Sequence, residues 1–222
     1  MTILYGCILL GYLSGSVLFA RVSMALLHKG YILTASKDGN PGTANAFRYG
    51  GFLCGTLTLA GDLLKGFFPV HLLVSACSPT VPPMLFALAA SAPVLGHAFP
   101  VFYHFQGGKG IAVTFGCLLG LLPEWQPVAC LVCAFLLFSL MIRITPHFQR
   151  TVAAYLLTLA FLFLSGQSQR SVLSFFLMSI VVSVRLLMSR EPRERMLVNF
   201  PWQRRHGAET ENKQPESGGK II

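Results

Sequence analysis

The sequence predicts an all-α protein: a polytopic integral membrane helix bundle of about seven transmembrane helices, N-terminus outside and C-terminus cytoplasmic. Three observations carry that reading. Hydrophobic residues make up 54% of the 222 and charged residues only 11%, less than half the ~25% of a soluble domain. Apolar runs of membrane-spanning character recur along the chain, separated by short polar segments. The basic residues crowd onto alternate segments. A chain of this composition cannot present an ordinary polar surface to water, which excludes a soluble enzyme and a disordered chain.

Each predicted helix follows from the ~20 apolar residues that a crossing needs. Residues 3–27 supply the first, and they start too near Met1, with no basic stretch ahead, to resemble a cleaved signal peptide. Residues 28–49 are polar and carry Lys29, Lys37, Asp38 and Arg48. A second run covers 50–75, interrupted by Asp62 and Lys65, and a third covers 84–103 after a Pro-containing turn. The run that follows F-Q-G-G-K-G (105–110) ends at Leu122; it is short for a full crossing and is open to a re-entrant reading. Runs near 126–142, 151–165 and 171–188 complete the set. Residues 1–189 thus form the membrane domain. Residues 190–222 read as a polar, disordered cytoplasmic tail, with Arg185, Arg190, Arg193 and Arg195 set against anionic lipid.

Orientation follows from charge. With the N-terminus outside, the inner segments and Arg21 at the first helix end hold 15 of the 17 Lys and Arg. Excess Lys and Arg on cytoplasmic segments is the known bias of membrane proteins. The net charge of +9 therefore points to lipid headgroups and topology, with no nucleic acid as partner. Cys130 and Cys133 form C-x-x-C, but no second Cys or His pair completes a metal site. The six cysteines read as small membrane-facing hydrophobes with no disulfide framework. No metal, cofactor or obligate protein partner is called for.

Polar chemistry gathers in three places. K-D-G-N-P-G-T-A-N-A-F-R (37–48) carries Gly39 and Gly42, which let backbone N–H groups approach a ligand. Asn40 and Asn45 add amide donors, and Arg48 a planar fork suited to phosphate. Alone, it reads as readily as a Pro-Gly turn with an arginine reaching the headgroups. G-H-A-F-P-V-F-Y-H-F-Q-G-G-K-G (96–110) sets Gly107, Gly108 and Gly110 around Lys109, a loop suited to a phosphate or acyl phosphate. It lacks the spacing and Ser/Thr of a nucleotide P-loop. His97 there is a candidate base, or a helix-end histidine bonded to a carbonyl. D-L-L-K-G (62–66) places Asp62 and Lys65 on one helical face, where they can pair for structure or mark a functional intramembrane site.

Together these residues resemble a known family. N-P-G-T-A-N-A-F-R, G-H-A-F-P-V-F-x-x-F-x-G-G-K-G, G-Y-L-S-G-S (11–16) and D-L-L-K-G-x-x-P-V are similar to the motifs of the acyl-phosphate-dependent glycerol-3-phosphate acyltransferases, the PlsY family. The likeness runs from residue 9 to about 122. It implies a seven-helix enzyme of the bacterial inner membrane with its site facing the cytoplasm. The implied reaction moves an acyl group from acyl phosphate to the 1-hydroxyl of glycerol 3-phosphate, giving lysophosphatidic acid for phospholipid synthesis. It also implies catalytic roles for Arg48, Asn45, His97 and Lys109, and substrate binding by Ser16, Asn40, Gly42, Gly107 and Gly108. The proton from the hydroxyl goes to a substrate phosphate oxygen or to His97, the one titratable base that the motifs bring near the site.

The chain departs from the family pattern at several points. Asp38 stands where the family has Ser, and Ala44 where it has Thr. Leu18 replaces a proline of the first motif. The serine-rich segment between the fifth and sixth spans reads Arg143-Ile144-Thr145-Pro146-His147-Phe148-Gln149 here, and V-R-L-L-M-S-R (184–190) stands in place of the C-terminal signature. Asp38 repels an anionic ligand unless paired, with Lys37 or Arg48 as expected partners. Two other readings therefore stand beside the enzyme. One is a same-fold paralogue with another acceptor or weak activity. The other is a non-catalytic lipid-binding or transport protein using Asp62 and Lys65 as a pathway. An acyl-CoA-dependent mechanism fits poorly, since none of the six histidines has Asp five positions on.

Overall fold

The computed structural model describes residues 2–36, 38–189 and 195–198. All seven apolar runs are helical. The first is broken: α1 (Thr2–Ser16) and α2 (Phe19–Leu26) meet at 42°. A short α3 (Ile32–Ala35) leads to α4 (Thr43–Ala76), then α5 (Pro83–Ala98), α6 (Ile111–Gly120), α7 (Gln126–Leu136, extended by one π turn), α8 (His147–Leu164) and α9 (Gln169–Met188). Four of these helices, α4, α5, α8 and α9, are long and apolar enough to cross a membrane. The bent α1–α2 pair makes a fifth if counted as one span, while α6 and α7 are shorter. Outward-facing Phe52, Phe163 and Leu164 are exposed, the surface expected of helices facing lipid.

Two breaks shape the site. The 34 residues of α4 are longer than a bilayer core of ~30 Å requires at ~1.5 Å per residue. The helix divides at Gly51, whose φ of +81° and ψ of −179° suit glycine and strain any other residue. Lys29 donates to the Gly50 carbonyl there, and the Phe47 ring folds back over Gly55. The second break, at Val17–Leu18, exposes the Val17 carbonyl to a side chain from α4.

Small residues fix the helix seams. Gly11 and Gly15 of α1 lie against Pro93 of α5, and Gly116 and Gly120 of α6 lie against the α4 backbone at Leu63 and Phe67. These two G-x-x-x-G pairs therefore serve packing within the chain. Inside, Phe115, Phe135, Tyr155 and Phe175 form a ladder of ring contacts with centroids 5.4–6.3 Å apart. Cys7 and Cys117 are buried in this core and Cys54 in a smaller cluster with Ala20, Met24 and Ala46, which corrects their expected place at the lipid face; an apolar thiol packs as well against neighbouring helices as against lipid.

The segment expected as a polar tail contributes one ordered piece. Leu197–Val198 pairs antiparallel with Ile144–Thr145, so the chain returns from α9 to brace the start of α8. The calls on Lys37, on Arg190 and Arg193, and on 199–222 lie outside the described residues.

Candidate active site

A cleft of about 610 Å³ opens where α4, α6 and α8 begin and α5 ends. Alternate helices put these ends on one side of the bundle. Its lining includes Asp38, Asn40, Gly42, Asn45, Arg48, Asp62, His97 and Lys109, together with Tyr49, Pro146, His147 and Arg150. The two motif segments that the sequence singled out therefore meet in space.

Asp38 is the joint between them. Its carboxylate pairs with Lys109 Nζ at 3.1 Å and accepts from Asn45 Nδ2 at 2.9 Å and from the Asn40 N–H at 3.2 Å. Burial would raise this carboxyl, but Asn45, Lys109 and Asn40 together hold it below its ordinary value. The partner of Asp38 is thus Lys109, which corrects the expected pairing with Arg48: Asp38 sits in the loop before α4, where the glycine loop brings Lys109 within 3.1 Å. Asn45 also donates to the Asn40 carbonyl at 2.9 Å, which fixes the turn before α4.

At the cleft floor the intramembrane charges neutralise each other. Lys65 Nζ pairs with Asp62 at 2.9 Å, donates to the Val17 carbonyl at 2.6 Å, and lies 2.8 Å from His97 Nδ1. Thr43 donates to the other Asp62 oxygen at 3.3 Å. The network ties α1, α4 and α5 together, and Lys65 itself faces away from the cleft lining. Lysine has donors only, so this contact makes Nδ1 the acceptor. The other ring nitrogen, Nε2, lies against Gly108, and the His97 backbone carbonyl accepts the Gly108 N–H at 3.1 Å.

The glycine loop is clamped from two sides. A side chain at Gly107 would strike the His97 carbonyl, and one at Gly108 would strike the His97 ring. From α9, Arg185 donates to the Gly107 carbonyl at 2.6 Å. That corrects its expected place at the lipid surface: an arginine in the last turn of a helix reaches a buried carbonyl as readily as a headgroup. Ser16, Gly107 and Gly108 do not line the cleft. Ser16 is buried, donates to the Tyr12 carbonyl at 2.9 Å and accepts the Val101 N–H at 3.4 Å. Arg150 and Arg185 were not singled out as site residues. Arg150 had one signal in the sequence, a cation at the start of an apolar run, where helix electrostatics favour an acid.

Apolar outer surface, buried ion pair and cation-lined cleft define an integral membrane helix bundle with a polar site at one end. The chain belongs to the glycerol-3-phosphate acyltransferase family, whose pattern it matches over residues 5–197. The glycerol-3-phosphate acyltransferase of Serratia proteamaculans is 40% identical over 113 residues, 51% of each chain. That of Halorhodospira halophila is 39% identical over 124 residues, 56% of this chain and 59% of its own. The aligned part of the chain spans about half the length of these curated relatives. Two crystal structures of PlsY, an integral membrane glycerol 3-phosphate acyltransferase, align over most of both chains. Its lysophosphatidic acid form has a TM-score of 0.68 at 26% identity, covering 82% of this chain and 87% of that one. Its glycerol 3-phosphate form has a TM-score of 0.67 at 28% identity, covering 83% and 86%.

Proposed function

We propose that the chain moves a fatty acyl group from acyl phosphate to the 1-hydroxyl of glycerol 3-phosphate, giving lysophosphatidic acid. The observation that carries the reading is the meeting of Arg48 and Lys109, from two separate glycine-bearing segments, in one cleft of an otherwise apolar bundle. Such a cleft draws anions, while the lipid-facing helices suit acyl chains. The protein sits in the bacterial inner membrane as about seven spans, N-terminus outside, with the cleft toward the cytoplasm, where its water-soluble acceptor is found. Its partners are glycerol 3-phosphate, acyl phosphate and anionic membrane lipid.

The chemistry runs as a single transfer. The acceptor hydroxyl oxygen attacks the acyl carbonyl carbon, and the carbonyl electron pair moves onto oxygen. Loop N–H groups near Lys109 stabilise that oxyanion. The carbon–oxygen bond to phosphate then breaks and its electron pair leaves with the phosphate. The hydroxyl proton ends on a phosphate oxygen, so hydrogen phosphate departs and no side chain changes charge. His97 suits a positioning role because Lys65 occupies its Nδ1. Arg48 and Lys109 offset substrate charge, Asn45 and Asn40 hold the turn, Gly42 lets backbone approach, and Gly107 and Gly108 seat the loop against His97.

The Asp38–Lys109 pair favours one second reading, a same-fold enzyme with a less anionic acceptor. The transport reading is weakened by the closed Asp62–Lys65 pair, which is tied to backbone and to its neighbours. Lysophosphatidic acid formation by purified protein, given both substrates, tests the proposal. Lys109→Ala is expected to abolish it and Lys213→Ala to leave it unchanged. Full activity in the Lys109→Ala protein would remove the loop from the mechanism.

A further inference from the structure

Arg150 is the fourth residue of α8, in a first turn with no acidic residue. Aligned peptide dipoles make a helix start positive, so a cation is placed badly there unless an anion joins it. Its Nε is buried and has no hydrogen-bond partner. The side chain lines the same cleft as Arg48 and Lys109, beside Pro146 and His147. Both carboxylates in the cleft lining are already paired, Asp38 with Lys109 at 3.1 Å and Asp62 with Lys65 at 2.9 Å. A guanidinium has donors and no acceptor, so the buried Nε–H calls for an acceptor that the described residues do not supply.

We infer that Arg150, with the start of α8, is the cation of a second phosphate subsite, distinct from the one at Arg48 and Lys109. The inference rests on the acyl-transfer reading for its two ligands, since donor and acceptor each bring a phosphate and must share the cleft at the moment of transfer. Two such anions repel unless each meets its own cation, and Asp38 already offsets the charge of Lys109. Pro146 precedes α8 and Gln149 is its third residue, so neither offers a hydroxyl to an anion at this helix start. Arg150, one position beyond Gln149, supplies donors as a planar fork that matches phosphate oxygens in pairs.

The test uses the purified full chain in a phosphate-free detergent, as wild type, Arg150→Met and Arg150→Lys. Steady-state kinetics vary glycerol 3-phosphate and palmitoyl phosphate separately, and thermal unfolding is followed with and without inorganic phosphate. Arg150→Met keeps the apolar stem, and is expected to raise the KM of one substrate roughly tenfold while moving kcat less. Arg150→Lys is expected to fall between the two. The substrate whose KM rises is the one whose phosphate the subsite holds. The gain in unfolding temperature given by inorganic phosphate should shrink in the same order. Unchanged KM for both substrates, with the phosphate gain of wild type retained, overturns the inference. If Arg150→Met fails to fold, an Arg150→Lys protein matching wild type in KM and phosphate protection does the same. If wild type makes no lysophosphatidic acid, the acyl-transfer reading fails, and phosphate protection alone still decides whether Arg150 binds phosphate.

Discussion

Asp38 shows how one side chain can retune a site. Its depressed carboxyl keeps the pair with Lys109 ionised through the neutral range. The stabilisation from that pair is present above the unfolded carboxylate value near ~3.9 and is lost only as pH falls through the lower folded value. A ligand phosphate at Lys109 therefore competes with a resident anion at any ordinary pH. Replacing Asp38 with Ser should lower the KM for the phosphate-bearing substrate several-fold between about pH 6 and 8, about 1 kcal/mol at ~1.4 kcal/mol per tenfold. A KM that rises would mean that the carboxylate assists binding. Arg48→Lys tests the neighbouring wall of the cleft, since a point charge cannot replace a bidentate fork. A large rise in KM for glycerol phosphate is expected, and an unchanged value would remove Arg48 from substrate binding. At this scale the sequence singled out Arg48, Lys109, Asn45 and His97 through their motifs, all four of which the fold brings to one cleft. It could not reveal that Lys109 is the partner of Asp38, or that Lys65 lies against His97, because both depend on how separate helices cross.

Helix seams explain why the elements hold their places. Gly116 lies on the Leu63 carbonyl and Gly120 on the Phe67 carbonyl, so α4 and α6 approach backbone to backbone. Gly116→Leu must separate them, and overpacking of this kind costs about 1–3 kcal/mol. A lowered unfolding temperature in detergent is expected for Gly116→Leu. Gly6→Leu, at a position with nothing within 4 Å, should be neutral. Equal behaviour of the two variants would contradict the seam. Apolar runs disclosed the long helices, since hydrocarbon burial is written in composition, while α3, inside the polar segment 28–49, left no such mark. The breaks at Val17–Leu18 and Gly51 were not legible. They depend on Lys65 and Lys29 claiming backbone carbonyls from a distance, which no local pattern records. Arg185 was misread for the same reason, because its target, the Gly107 carbonyl, lies 78 residues away in the chain.

As a whole molecule the bundle sets an apolar exterior around one polar end, where the segments 38–48 and 109–112 meet. Charge asymmetry in the sequence predicts that this end faces the cytoplasm. A cysteine placed at Gln167, in an otherwise cysteine-free protein, should react with a membrane-impermeant thiol reagent on intact cells, while one at His104 should react only after permeabilisation. The reverse pattern would overturn the orientation. The central claim is acyl transfer from acyl phosphate, and it is tested most directly by supplying purified protein with radiolabelled glycerol 3-phosphate and either palmitoyl phosphate or palmitoyl-CoA. Labelled lysophosphatidic acid from palmitoyl phosphate alone is the predicted result. Product from palmitoyl-CoA alone, or from neither donor, would contradict it.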